Sequence, residues 1–363
     1  MHTKPPSQIV MIVLFTATGA ENLGDELITL CEIRYFQSMD EEIILFSHDV
    51  ERTQRFLLSQ KISLVNIIIK EYFPNALRKY PIKNIQLFWK TAKIIRNADH
   101  VYVGGGGLLY SKNEEGHSPL RLWWMRAVIV HFFRKPLTYL SLGISTSAQE
   151  LKPYAEGIFK KSTITVRDKK SQETLKNLSL ESTILPDPVL TYEGQKIENS
   201  KIIGIALRKG FLGDETTKEL IKKLLARGYE ILLLPHSLHP TDEASHDGYY
   251  LQDFLFPGVM TTQSIEQTLE AYKKCHIIIS MRLHSMILAL THHIPFVGIS
   301  YSQKTNMLLE EINWKYAHAS DGKADDILGS IDTIESNYPE LEKTLKEYHS
   351  QYQTTYKNSF PGK

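Results

Sequence analysis

Short runs of Ile, Val and Leu, apolar at nearly every position, recur along this chain with helix-like segments between them. They occupy residues 10–15, 42–47, 63–69, 100–103, 137–142 and 164–166, then 201–206, 230–234, 277–280 and 296–300. A strand that shows no polar side is covered on both faces, as parallel strands are between two layers of helices. Helical runs such as 25–36 and 215–227 fill the intervals. Repeated β-α alternation predicts a doubly wound α/β architecture.

The chain has 363 residues, enough for two domains. The turn Pro186-Asp187-Pro188 and the polar stretch 192–200, with Gly194, read as a linker, and a new βα series starts at Lys201. Two Rossmann-like domains are therefore expected, at 1–192 and 201–331. Residues 332–363 read as a polar helix that crosses back onto the first domain. A net charge of +1 gives no reason to expect a nucleic-acid partner. The apolar run at 9–15 is too short to span a bilayer, and no cleavage site follows it. Cys31 and Cys275, each in an apolar context, read as buried thiols rather than a disulfide framework. A reducing, cytoplasmic setting is the expectation.

The densest chemistry is Ser280-Met281-Arg282-Leu283-His284-Ser285-Met286-Ile287, at the end of an apolar strand. A strand that turns sharply into a helix brings a fixed cation, an imidazole and unpaired helix-start N–H groups to one point. Such a point suits a phosphate or carboxylate. Arg282 can fork onto the anion, with Ser285 at the helix start, and His284 can move a proton near neutral pH. The plain alternative is an Arg and a His that only cap and pack the junction. Arg167 and Arg208 also follow strands, at the edge where open α/β sheets bind ligands. Lys304 follows the last strand and is either a further cation at that edge or a solvated lysine.

Gly104-Gly105-Gly106-Gly107 follows another strand and reads as a tight turn or as a close approach to a ligand at Gly105 and Gly106. The spacing is not that of a dinucleotide fingerprint. Asp25 reads as a helix cap, or with Asn22 as a contact to substrate hydroxyls. In the segment 234–242, His236, His239 and Asp242 suggest polar contacts to substrate, His236 foremost, rather than a metal site. No metal and no bound cofactor are expected. A P-loop and a G-x-S-x-G elbow are both missing.

Taken in order, several stations resemble the polysaccharide pyruvyl transferase family. They are Asn22-Leu23-Gly24-Asp25-Glu26, Gly104-Gly105-Gly106-Gly107-Leu108-Leu109, Ser141-Leu142-Gly143-Ile144-Ser145 and Val166-Arg167-Asp168-Lys169-Lys170-Ser171. Leu185-Pro186-Asp187-Pro188-Val189, Met281-Arg282-Leu283-His284-Ser285 and Gly298-Ile299-Ser300-Tyr301-Ser302-Gln303-Lys304 follow.

The resemblance implies two Rossmann-like domains facing a cleft, as in GT-B glycosyltransferases, with the acceptor on the N-terminal side and the donor on the C-terminal side. It implies transfer of a pyruvyl group from phosphoenolpyruvate (PEP) to hydroxyls of a sugar in a cell-surface polysaccharide or its precursor. Arg167, Arg208, Arg282, Lys304 and Ser285 would hold PEP, His284 and Arg282 would act in catalysis, and Asn22, Asp25, Gly105, Gly106 and His236 would meet the acceptor. A GT-B glycosyltransferase using a nucleotide-sugar and a non-catalytic glycan- or anion-binding protein are the alternative functions. The basic, aromatic segment 120–135 reads either as a packing helix with arginine on its wet face or as a contact to a membrane surface or lipid-linked acceptor.

Overall fold

A computed structural model of the chain describes residues 10–74, 80–110, 119–198, 200–239, 246–300 and 303–361. The chain forms two compact units. The first comprises the chain up to Gly19, Asp25–Pro188 and the residues from Asn358. The second comprises Ala20–Gly24 and Val189–Lys357.

In the first unit the strands are β1 (Met11–Phe15), β2 (Glu42–Ser47), β3 (Ile67–Glu71), β4 (His100–Val103), β5 (Gly106–Tyr110), β6 (Leu137–Ser145), β7 (Thr163–Val166) and β8 (Thr183–Ile184). They pair in the order β3-β2-β1-β4-β6-β7-β8, with β5 also on β6, and every pairing is parallel. The helices are α1 (Leu23–Gln37), α2 (Val50–Ser59), α3 (Pro81–Asn97), α4 (Pro119–Phe132), α5 (Ala148–Phe159) and α6 (Lys169–Lys176). The interior strands β1 and β2 bury nearly every side chain, as strands covered on both faces must.

The second unit holds β9 (Ile202–Ala206), β10 (Glu230–Leu233), β11 (Val259–Thr261), β12 (Cys275–Ser280), β13 (Phe296–Ser300) and β14 (Ala317–Ala319). They run parallel in the order β11-β10-β9-β12-β13-β14. Its helices are α7 (Asp214–Ala226), α8 (Asp247–Leu251), α9 (Ile265–Tyr272), α10 (Leu283–Thr291), α11 (Gln303–Glu311), α12 (Ala324–Ser336) and α13 (Tyr338–Ser359).

Both sheets reverse their winding direction once, between β1 and β4 and between β9 and β12. Chain segments leaving the two strands at such a point diverge and leave a crevice at the carboxyl edge. The expected doubly wound α/β class is therefore what the chain adopts.

The ten expected strands are all present. The third starts late, at Ile67, because residues 65 and 66 make a turn that leaves Val65 89% exposed. Four short strands escape the sequence pattern. β5 opens on two glycines, and β8, β11 and β14 are three residues or fewer, with side chains exposed or half-exposed. The wet-face reading of α4 needs correction at Arg126. Its guanidinium is buried, 3.9 Å from the centre of the Tyr72 ring and 4.6 Å from that of Trp123, and its Nε donates to the Phe73 carbonyl at 2.8 Å. Two aromatic faces and a carbonyl compensate the lost hydration.

Candidate functional site

At the winding reversal of the second unit, β9 and β12 end in register, with Ser280 beside Ala206. Arg208 leaves from the first strand and Arg282 from the second. The backbone turns at Ser280, whose hydroxyl accepts from the Arg282 N–H at 3.0 Å. Arg282 is still extended (φ −83°, ψ 128°), and its carbonyl accepts the first helical bonds of α10, from Ser285 and Met286. Its long side chain does not cap the helix it starts. An N-terminus left without a side-chain cap can receive an anion.

The guanidinium of Arg282 turns instead to Asp247, the first residue of α8. Nε lies 3.1 Å from Oδ2, and Nη2 pairs with Oδ1. Asp247 is only 2% exposed and also accepts from the backbone N–H groups of His236 and Ser237, both at 3.1 Å. Burial pushes its carboxyl above the usual carboxylate range, against the pull of Arg282 and of the two N–H donors. One carboxylate thus ties the segment after β10 to the segment after β12. No sequence signal connects the pair, which stand 35 residues apart.

His284 is half-buried against Gly24. A Cβ at position 24 would stand 2.0 Å from the imidazole Nδ1, so only glycine leaves the ring its place. Gly24 is held there because residues 21–23 lie alongside residues 236–238. Leu23 N–H donates to the His236 carbonyl at 2.8 Å, Leu238 N–H donates to the Glu21 carbonyl at 2.9 Å, and Asn22 and Ser237 form an antiparallel bridge. Asn22 rather than Asp25 caps α1, with its Oδ1 accepting from the Gly24 N–H at 3.1 Å.

His236, expected on the acceptor, is buried. Its Nε2 lies 2.7 Å from the Tyr272 hydroxyl, which is 2.5 Å from Ser285 Oγ. Burial, then the nearby Arg282 and His284, push His236 well below the ordinary imidazole value, so it is neutral. Tyr272, also absent from the expected set, thereby links the β10 exit to the first turn of α10. Arg208 is half-buried, 5.9 Å from the Phe211 ring centre, and Lys304 is exposed in the first turn of α11.

The remaining expected residues belong to the first unit. Arg167 is 7% exposed and pairs with Asp187 at 3.3 Å and Asp168 at 3.6 Å. Its guanidinium fills the space a side chain on Gly143 would need. In the glycine run, the Gly105 N–H donates to Glu32 Oε1 at 2.7 Å, and a Cβ on Gly104 would lie 2.2 Å from Glu32 Oε2. Gly106 has φ +98°, a conformation that favours glycine, and a Cβ there would stand 3.1 Å from Ile28 Cδ1 and 3.4 Å from Asp25 Oδ1. Glu32 is fully buried, and burial pushes its carboxyl up to about 8. Asp242, Tyr301 and Ser302 lie outside the described residues. Among the described residues, no group of three or more His, Cys, Asp or Glu is placed to hold a metal ion.

Solved structures share this fold. A UDP-GlcNAc 2-epimerase from Neisseria meningitidis, bound to UDP-GlcNAc, matches with a TM-score of 0.60 at 13% identity, over 93% of this chain and 94% of that one. UGT73P12 from Glycyrrhiza uralensis, complexed with glycyrrhetinic acid 3-O-monoglucuronide, matches with a TM-score of 0.61 at 9% identity, over 94% and 91%. At such identities the likeness concerns the fold alone, which is GT-B-like. No curated protein matches the sequence. A profile described as polysaccharide pyruvyl transferase matches residues 22–303, from the Asn22 cap through the Arg282–His284 turn to the start of α11, and on that span the chain belongs to the polysaccharide pyruvyl transferase family.

Proposed function

We propose that this transferase moves a pyruvyl group from PEP to two hydroxyls of a sugar in a polysaccharide or its precursor, forming a ketal. The observation that carries the reading is the turn after β12. There an arginine locked onto Asp247, an imidazole seated on Gly24 and an N-terminus without a side-chain cap share one strand–helix junction.

PEP carries a carboxylate and a phosphate, so its site needs cations and oriented dipoles rather than one charge. Within the second unit this reading assigns them to Arg208, Arg282, Lys304 and the α10 start at Ser285. Arg282 keeps one terminal nitrogen for the anion while Asp247 holds the other two nitrogens, which fixes its direction in advance.

Chemistry proceeds in two steps. A first sugar hydroxyl adds to the central carbon of PEP as the methylene carbon takes a proton, and a tetrahedral ketal phosphate forms. A second hydroxyl then replaces the phosphate, and its proton leaves with the departing group. His284 is assigned the proton transfers, as the imidazole carried by this turn.

The fold also serves nucleotide-sugar chemistry in other proteins, so the deciding assay offers both donors. Purified protein is incubated with cell-envelope glycans and either PEP or nucleotide-sugars. Phosphate release with a pyruvyl mass gain on the glycan is the expected result. Nucleotide release, or no turnover with any donor, would overturn the proposal.

A further inference from the structure

Helices α3 and α4 pack against each other in the first unit, and each carries large apolar side chains on its solvent side. On α3 the buried side is Leu87, Thr91, Ala92 and Ile95. The opposite stripe, spaced i, i+3, i+7, is Ile82, Ile85 and Trp89, exposed by 74%, 60% and 68%. One and two turns further on, the same stripe becomes Lys93 and Arg96, both exposed. On α4 the buried side is Trp123, Arg126, Ala127 and Val130. Its outward stripe begins at exposed Arg121 and runs through Trp124, Val128 and Phe132, the last 78% exposed. An ordinary surface helix reserves that side for charged and polar residues. The exposed tryptophans among the described residues, Trp89 and Trp124, both lie here.

The charge on these helices has one sign. Residues 80–97 and 119–135 contain several Lys and Arg and not one Asp or Glu. Arg126 is spent inside on Tyr72, and Lys83 is paired with Glu71. Lys93, Arg96 and Arg121 stay on the exposed stripes.

We propose that α3 and α4 form a docking face for a membrane surface rich in anionic lipid. Trp89, Trp124 and Phe132 enter the boundary between headgroups and acyl chains, where amphipathic rings are favoured, and Lys93, Arg96 and Arg121 lie on the headgroups. Charge complementarity selects this occupant. A second copy of the chain would bring the same cations to the same face and be repelled. Contact is peripheral, since no helix among the described residues is long and apolar enough to cross a bilayer. The inference uses no residue of the second unit, so it stands or falls independently of the donor.

The full-length protein is sedimented with vesicles of phosphatidylcholine alone and of phosphatidylcholine with phosphatidylglycerol. Binding to the anionic vesicles is expected, with a blue shift of tryptophan emission and weakening as salt is raised. Trp89→Ser combined with Phe132→Ser should weaken it by at least about tenfold. Lys93→Glu combined with Arg96→Glu should do the same, at roughly fivefold or more per reversed charge. Melting temperature and turnover in solution should stay unchanged in both, because these side chains lie on the outside. Absence of binding to anionic vesicles, equal binding to the two vesicle types, or a stable dimer that dissociates in Trp89→Ser would overturn the proposal.

Discussion

Arg282 is held by a buried carboxylate on one side, and the proposed function gives it an anionic substrate on the other. Truncating it ends both contacts. Arg282→Ala leaves Asp247 buried with only its two backbone donors, so the variant should lose about 3 kcal/mol of stability, as broken buried pairs do. PEP affinity should fall with it, and calorimetry beside a thermal melt reads both losses. A drop in affinity with an unchanged melt would show that the pair with Asp247 is idle. His284 is expected to separate from this behaviour. His284→Ala should lower kcat by about a hundredfold to ten-thousandfold while PEP still binds. Gly24→Ala should reproduce part of that loss, because its Cβ lands where the imidazole sits. The double variant should be no slower than His284→Ala alone, since both act through one ring. Wild-type kcat in a folded Gly24→Ala protein would remove the seated imidazole from the chemistry. At this scale Arg282 and His284 are visible in the sequence because strand, turn and helix are consecutive. Asp247 and Tyr272 are not, because nothing local announces which residue will meet them.

Helix α1 shows what a single element can conceal. Its sequence reads simply as a helical run, yet Glu26 and Glu32 are buried with the leucines. Glu26 accepts from the Gly19 N–H at 2.7 Å and from the Thr18 hydroxyl, and so anchors the loop after β1. Glu32 does the same for the glycine run after β4. Its folded pKa of about 8 lies above the ordinary 4.5, so the native protein holds a proton that the unfolded chain releases between those values. Its stabilising contribution is complete below about pH 4.5 and is lost as pH rises to about 8. Glu32→Gln keeps the acceptor for Gly105 and removes the titration. It should melt higher than the parent at pH 8 and about the same at pH 4.5. Equal melting temperatures at pH 8 would mean that Glu32 is ionised in the folded state. Helix α4 teaches the same lesson from the other side. Its apolar residues surround the axis, so the pattern alone cannot tell which face turns inward. Packing on Tyr72 chose the one with Arg126.

At the scale of the whole molecule, the neutral buried imidazoles among the described residues, His236, His292 and His349, lie in the second unit, and the buried Glu32 carboxyl lies in the first. Burial holds His292 and His349 at about 4 and His236 well below its ordinary value. A histidine whose pKa is depressed on folding contributes fully above 6.5, and that contribution is lost as pH falls toward 4, by about 3 kcal/mol for His292. Glu32 works in the opposite sense over an overlapping range. Acidification from pH 7.5 to 5 should therefore lower the melting of the second unit more than that of the first. Calorimetry, with limited proteolysis to identify the unit that opens, can read the difference. Preferential opening of the first unit in acid would contradict these burial assignments. The α/β class, the positions of the longer strands and the turn carrying Arg282 and His284 were legible in residue order, because helical and strand periods and turn chemistry are local properties. The order of strands in each sheet, the Asp247–Arg282 pair, the buried Glu32 and the outward tryptophans of α3 and α4 were not. Each depends on which faces meet across long stretches of chain, and a local pattern records a period but not the partner that will cover it.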